Sequence, residues 1–238
     1  MKWVRKFHLY SSVLVGLQVI IWIGTGIIFN LMDHEKASGN YYRIVDVKPA
    51  FTIDPNTSHD LVPITQILLS YPDTVEVELI NILDAPHYLL YQHKGLYRHF
   101  VHEFLLVNAV TARPTRLTEA MIKKIAQQSY KGPGQITNAV RLSDGGEFLK
   151  ERNPSWRVDF SDKANTSAYI DATTGRLLGH SNDDRRFRDL LFMLHFMDYA
   201  EVGGFNNVFI KIFALIALCL SISGAYWLLV LVKKRQIM

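Results

Sequence analysis

The sequence predicts an α+β protein, with two transmembrane helices flanking an outer domain of two helix-plus-antiparallel-sheet units. Three observations predict it. Residues 10–32 and 212–232 are apolar stretches without a single charge. Between them, two short segments of helical periodicity are each followed by segments of alternating polarity. Finally, Val107-Asn-Ala-Val-Thr-Ala-Arg113 and Ile170-Asp-Ala-Thr-Thr-Gly-Arg176 occupy matching places 63 residues apart, as in an imperfect repeat.

Each apolar stretch is long enough to cross a hydrocarbon core of about 30 Å at about 1.5 Å per residue. The first is too long for a secretory signal, and no small-residue cleavage site follows Leu31-Met-Asp33, so it reads as an uncleaved anchor. Lys2, Arg5 and Lys6 precede the first span, and Lys233, Lys234 and Arg235 follow the second. The positive-inside rule therefore puts both termini in the cytoplasm and residues 33–206 on the far side, the periplasm of a Gram-negative cell. Trp3, Tyr10, Tyr226 and Trp227 suit the inner interface, and Lys211 suits a snorkelling position near the outer one.

The same charges account for the net +4. With the six terminal bases set aside, 20 basic and 22 acidic residues remain, which excludes a basic nucleic-acid-binding domain. A single cysteine, Cys219, excludes disulfide scaffolds, redox pairs, iron–sulfur ligation and cysteine-rich zinc sites, and the missing C-x-x-C-H excludes covalent c-type haem. No Gly-rich nucleotide loop, H-E-x-x-H or serine nucleophile elbow occurs, so no nicotinamide or flavin site is recognisable.

The predicted order is a cytoplasmic N-terminus (1–9), a first span (10–32), a first unit (33–116) and a second unit (117–182). An amphipathic helix with its linker (183–206), the second span (207–232) and a cytoplasmic C-terminus (233–238) complete it. In the first unit a short helix over 61–70 precedes strands over 74–82, 85–92 and 96–111. In the second, a helix over 117–126 with Thr118 as N-cap precedes strands over 136–142, 155–160 and 167–178, and Asp171–Gly175 is a turn signal. Asp183 and Asp184 start a helix whose apolar stripe is Phe187, Leu190, Leu191, Leu194 and Met197; with Arg185, Arg186 and Arg188 it predicts a helix lying on the outer membrane surface.

These features resemble the two-span PepSY-domain membrane proteins. The matching residues are Arg5-Lys-Phe-His8 running into a span with Gly16, Gly24 and Gly26, then Pro154-Ser-Trp-Arg-Val-Asp-Phe160, Ala168-Tyr-Ile-Asp-Ala-Thr-Thr-Gly175 and Leu194-His-Phe-Met-Asp-Tyr199. The resemblance covers nearly the whole chain, and in size and topology looks most like the VciB-type ferric reductases. It implies a PepSY-like fold for both units, a bacterial inner-membrane location, and haem b on histidines near the membrane. It also implies electron transfer to ferric iron or an Fe(III) chelate in support of iron uptake, the electrons coming from quinol or a separate reductase. Other PepSY proteins are protease-inhibitory or sensory modules, so the alternative is a cofactor-free binding module that docks a protease or sensor.

Against that background the histidines divide into sets. His8, Ser12 and Gly16 share one helix face at intervals of four, where small residues above an imidazole leave room for a flat macrocycle, or else make a close helix contact. The second span holds no histidine or methionine, so a six-coordinate haem at the inner face takes its second ligand from another chain. His8 of a symmetry mate in a twofold homodimer is the economical source. Ala214, Ala217, Ser221, Gly224 and Ala225 give the second span a close-packing seam for such a bundle.

On the outer side, His195 is the preferred ligand, with Asp198 as the partner that fixes its tautomer. His34 is the weaker candidate, about 39 Å from His8 were the helix continuous. In the histidine-rich stretch from 87 to 103, a two-residue turn at Lys94-Gly95 sets His93 opposite Leu96 and His87 opposite His102, a pair beside Glu103 that could hold a transition metal. Solvated strand histidines are the alternative there.

Overall fold

The structure, a computed structural model, describes residues 2–44, 60–93, 102–200 and 203–236. It divides into two compact units, one made of residues 1–33 and 187–238, the other of residues 34–186. The fold is α+β.

The first unit is helical. α1 (Lys2–Leu31) and α6 (Val208–Gln236) carry apolar spans over Arg5–Leu31 and Val208–Lys233. With apolar residues on every face, each satisfies its backbone internally, as a lipid-exposed segment must. The two pack antiparallel: His8 of α1 meets Ser223 of α6, and Trp22 meets Phe213. On α6, Ile210, Phe213, Ile216, Ala217, Leu220, Ser223, Gly224 and Val230 are shielded. Of the seam expected from sequence, Ala217 and Gly224 therefore face the bundle, while Ala214, Ser221 and Ala225 are exposed on another face.

The second unit begins with the short α2 (His34–Ala37), then α3 (Ile64–Ser70) and the antiparallel sheet β1 (Glu76–Ile82), β2 (Ala85–His93) and β3 (Glu103–Asn108), in that order. α4 (Glu119–Gln128) leads into a second antiparallel sheet of β4 (Ile136–Leu142), β5 (Ser155–Phe160), β6 (Ser167–Asp171) and β7 (Leu177–Ser181). Thr118 caps α4 as the sequence predicts, its side chain accepting from the Met121 amide at 3.3 Å.

The layers alternate. Ile67 of α3 packs with Tyr88, Leu90 and Val107 on one face of the first sheet. On the other face Ile80, Ile82, Leu89 and Leu106 meet Met121 and Ile125 of α4. The opposite side of α4, Ile122 and Ala126, packs with Val158, Phe160, Ala168 and Ile170 of the second sheet. One helix thus serves two sheets. β2 is covered on both faces, so its residues 87–90 are all buried instead of alternating.

Three expectations change. The predicted strand over 167–178 is two strands, because the Asp171 carboxylate accepts from the Thr173 and Thr174 amides at 2.9 and 2.8 Å and turns the chain, with Gly175 at φ +69°. α3 starts at Ile64, after Pro63 in extended conformation. The β2–β3 hairpin is not closed by two residues at Lys94-Gly95: His93 lies opposite Glu103. Residues 94–101, with that turn and His99, lie outside the described residues.

One buried histidine escapes any sequence motif. His180 on β7 is fully buried, its Nε2 2.9 Å from the Ser129 hydroxyl at the end of α4, and its Nδ1 has no partner among the described residues. The segment after α2 closes over it. Ile44 donates to the Ser129 carbonyl at 2.9 Å, Asn182 donates to the Lys36 carbonyl at 3.1 Å, and Gly39 at φ +80° leaves no room for a Cβ beside the His180 carbonyl. Burial, and next the Arg43 charge, push its pKa down to about 4, Asp162 opposing.

Candidate functional site

The helical unit carries two histidines of the expected set, at well-separated levels of α1. His8 stands on the second turn of α1, half-buried against α6. Its Nδ1 lies 2.8 Å from Ser223 Oγ, and its ring meets Trp227 edge-on at 5.8 Å. A Cβ at Gly224 would touch the imidazole at 3.4 Å, so α6 comes against the ring with backbone rather than side chain. Ser12 turns to its own helix, donating to the His8 carbonyl at 2.6 Å. Gly16 opens outward, with nothing within 4 Å of where its Cβ would stand.

His195 belongs to α5 (Asp183–Phe196), whose residues from Phe187 onward lie in the helical unit. The helix packs against α1. Phe192 packs on Phe29 with ring centroids 4.7 Å apart, His195 Nδ1 lies 2.7 Å from Thr25 Oγ1, and Trp22 Nε1 donates to the His195 carbonyl at 2.6 Å. Gln18 then donates to the Leu194 carbonyl at 3.2 Å. Residue numbers fall along α1 as they rise along α5, so the end of α5 reaches Gln18, midway along the Arg5–Leu31 span.

The physical reason is the helix end. Its last carbonyls have no intrahelical partner and need donors wherever water is excluded. Gln18, Trp22 and Asn207 supply them to Leu194, His195 and Phe196 in turn, Asn207 at 2.8 Å. Beyond them the chain turns through Met197, at φ +52°, and the Asp198 amide returns to the Met193 carbonyl at 2.9 Å.

The partner of His195 Nδ1 is thus Thr25, not Asp198 as the sequence suggests. The Asp198 carboxylate accepts from the Gly203 amide at 2.8 Å and shapes the turn toward α6. Sequence reading passed over Gln18, Trp22 and Thr25. Their signal was present: two polar residues and an indole at spacings of four and three mark one face of an otherwise apolar span.

The remaining candidates are dispersed. His34 is exposed in α2, within the other unit. His87 pairs with Asn108, not His102; it is buried, and its Nδ1 donates to the Ala85 carbonyl at 2.8 Å. His102 exchanges backbone hydrogen bonds with the Asn153 side chain at 3.1 and 3.2 Å and stacks on Phe104. The metal pair His87/His102 is therefore corrected, because the longer connection shifts the register away from it. Among the described residues no group of three or more His, Cys, Asp or Glu could hold a metal ion.

The donor set fits haem better than a free metal ion. Two separate imidazoles stand among apolar and aromatic side chains, each hydrogen-bonded through Nδ1. Among the described residues neither ring makes a hydrogen bond through Nε2. A strong neutral ligand in a low-dielectric site is what axial ligation of haem iron requires.

Two apolar spans at the ends of the chain and an α+β domain of two antiparallel sheets between them define a two-span membrane protein. Its family is that of the PepSY-associated TM region: that family's model matches residues 5–236, and the chain belongs to it. No curated protein and no solved structure matches the chain.

Proposed function

We propose that the protein is an inner-membrane b-type haem protein that passes single electrons to ferric iron, free or chelated, on the periplasmic side, as VciB-type ferric reductases do. The observation that carries this reading is the pair His8 and His195. They stand at the levels of residues 8 and 25 of α1, about 26 Å apart along the helix axis at its ordinary rise. Haem bound at such imidazoles supplies a one-electron iron couple near each face of the membrane.

The chain's own residues have separate tasks. His8 would hold the inner haem together with His8 of a second copy in a twofold homodimer; Ser12 and Gly16 leave the face above it open. His195 would hold the outer haem, and Phe29, Trp22 and Phe196 around its ring keep water away. The basic ends of the spans set both termini in the cytoplasm, where quinol or a separate reductase donates the electrons. The α+β domain faces the ferric substrate.

The test is a dithionite-minus-oxidised spectrum of purified protein. Sharp α and Soret bands are expected, with the inner-haem share of the absorbance lost in His8→Ala and the rest in His195→Ala. Whole cells should then reduce ferric iron in a ferrozine assay. A flat spectrum from haem-replete cells overturns the reading and leaves a cofactor-free PepSY module that binds a protease or sensor.

A further inference from the structure

Each of the two histidines meets a hydroxyl that is already engaged. Ser223 Oγ lies 2.8 Å from the Leu220 carbonyl, and Thr25 Oγ1 lies 2.7 Å from the Ile21 carbonyl. Two oxygens cannot approach so closely unless a hydrogen stands between them. A hydroxyl has one hydrogen, and a carbonyl has none to give. In both cases the hydroxyl therefore donates backward to its own helix and turns a lone pair toward the imidazole. Nδ1 must then carry the proton in His8 as in His195, at 2.8 and 2.7 Å.

A neutral imidazole has a single N–H, so protonation at Nδ1 leaves Nε2 with its lone pair. In water the neutral side chain favours the opposite arrangement. The same device occurs twice, on different helices and at different levels: Ser223 of α6 acts on His8 of α1, and Thr25 of α1 acts on His195 of α5. Donation to a backbone carbonyl also polarises each hydroxyl oxygen and makes it a better acceptor for the imidazole.

We propose that Ser223 and Thr25 are positioning residues that hold His8 and His195 in the Nδ1–H tautomer, with Nε2 ready to ligate before any haem arrives. The proposal rests on the haem reading for its purpose, but the tautomer is a property of the chain alone. A hydroxyl does this without adding a charge, whereas a carboxylate at Nδ1 would put a negative charge inside the apolar bundle.

The experiment uses full-length, histidine-¹⁵N-labelled protein in lipid nanodiscs, prepared from haem-depleted cells and kept near pH 8 so that the rings are neutral. His8→Gln and His195→Gln assign the two sets of ring signals. In the unsubstituted protein both rings should show protonated Nδ1 and bare Nε2. Ser223→Ala should return His8 alone to Nε2–H, Thr25→Val should return His195 alone, and Thr25→Ser should keep the original pattern. In each variant, unmoved signals from the other histidine of the pair report that the helical unit is folded. Nε2–H in the unsubstituted protein, or tautomers that ignore both substitutions, overturns the proposal.

A second measurement separates this proposal from the one beneath it. Loading with haem should show retention about 10- to 100-fold weaker in Thr25→Val than in Thr25→Ser, the usual effect of losing such a partner. A chain with the expected tautomers that takes no haem sinks the haem reading and leaves the positioning roles standing. A chain that takes haem with tautomers insensitive to Ser223 and Thr25 sinks the positioning roles alone.

Discussion

His180 shows how much a single side chain can depend on distant chain. Its imidazole is neutral because β7, the end of α4 and the segment after α2 remove it from water, and because Arg43 opposes a second positive charge. The ordinary value near 6.5 in the unfolded chain falls to about 4 in the folded one, so between these limits the unfolded state binds more protons. Stability from this group is complete above about pH 6.5 and is lost as the pH falls toward 4. We expect about 3 kcal/mol of acid destabilisation over that window, read from melts at stepped pH, and a flatter profile in His180→Gln. Nothing in the sequence marks His180, because the segment that closes over it begins 140 residues earlier. His8 was legible for the opposite reason: it opens an uncharged stretch and needs no distant chain to be noticed. Thr25 and Ser223 were not, since a lone hydroxyl inside an apolar span reads as ordinary helix packing.

Among the elements, α5 is the one whose neighbours its own pattern specifies least. An apolar stripe behind three arginines describes a surface helix as well as one that enters the bundle; what decides is the supply of donors for its final carbonyls. Gln18 and Trp22 of α1 are those donors. Gln18→Leu and Trp22→Phe keep most of the apolar volume but leave the Leu194 and His195 carbonyls unpaired, at about 1–3 kcal/mol each. Amide exchange in the last turns of α5 should accelerate about tenfold or more in the double variant, while the core of α1 stays protected. Unchanged exchange would mean that those carbonyls need no partner from α1. The strands were read more accurately where turn chemistry is local. β4 and β5 match their predicted limits, whereas the β2–β3 register, with His93 opposite Glu103, follows from pairing and not from the Lys-Gly dipeptide.

At the scale of the whole molecule, the class of fold was legible because two uncharged stretches and two helix-then-strands patterns are each long enough to survive local error. The internal repeat was legible too, yet it conceals how the halves are joined. The predicted boundary at residue 117 falls at the start of α4, which packs against both sheets: Met121 faces the first, Ile122 and Ala126 the second, and Ile125 touches both. Expressed separately, residues 33–116 and 117–182 should each bind the dye ANS and give no sharp melting transition. Two independently folded halves would refute the shared core.

Because α4 is a common wall, neither half of the α+β domain has a boundary that selection can alter alone. A larger side chain at Met121 presses on the first sheet through a helix whose other flank is already fitted against the second. Substitutions on the two sheets should therefore compensate one another although their residues never meet. A recombination crossover placed between the repeats, where the sequence looks most modular, should be among the least tolerated in the chain.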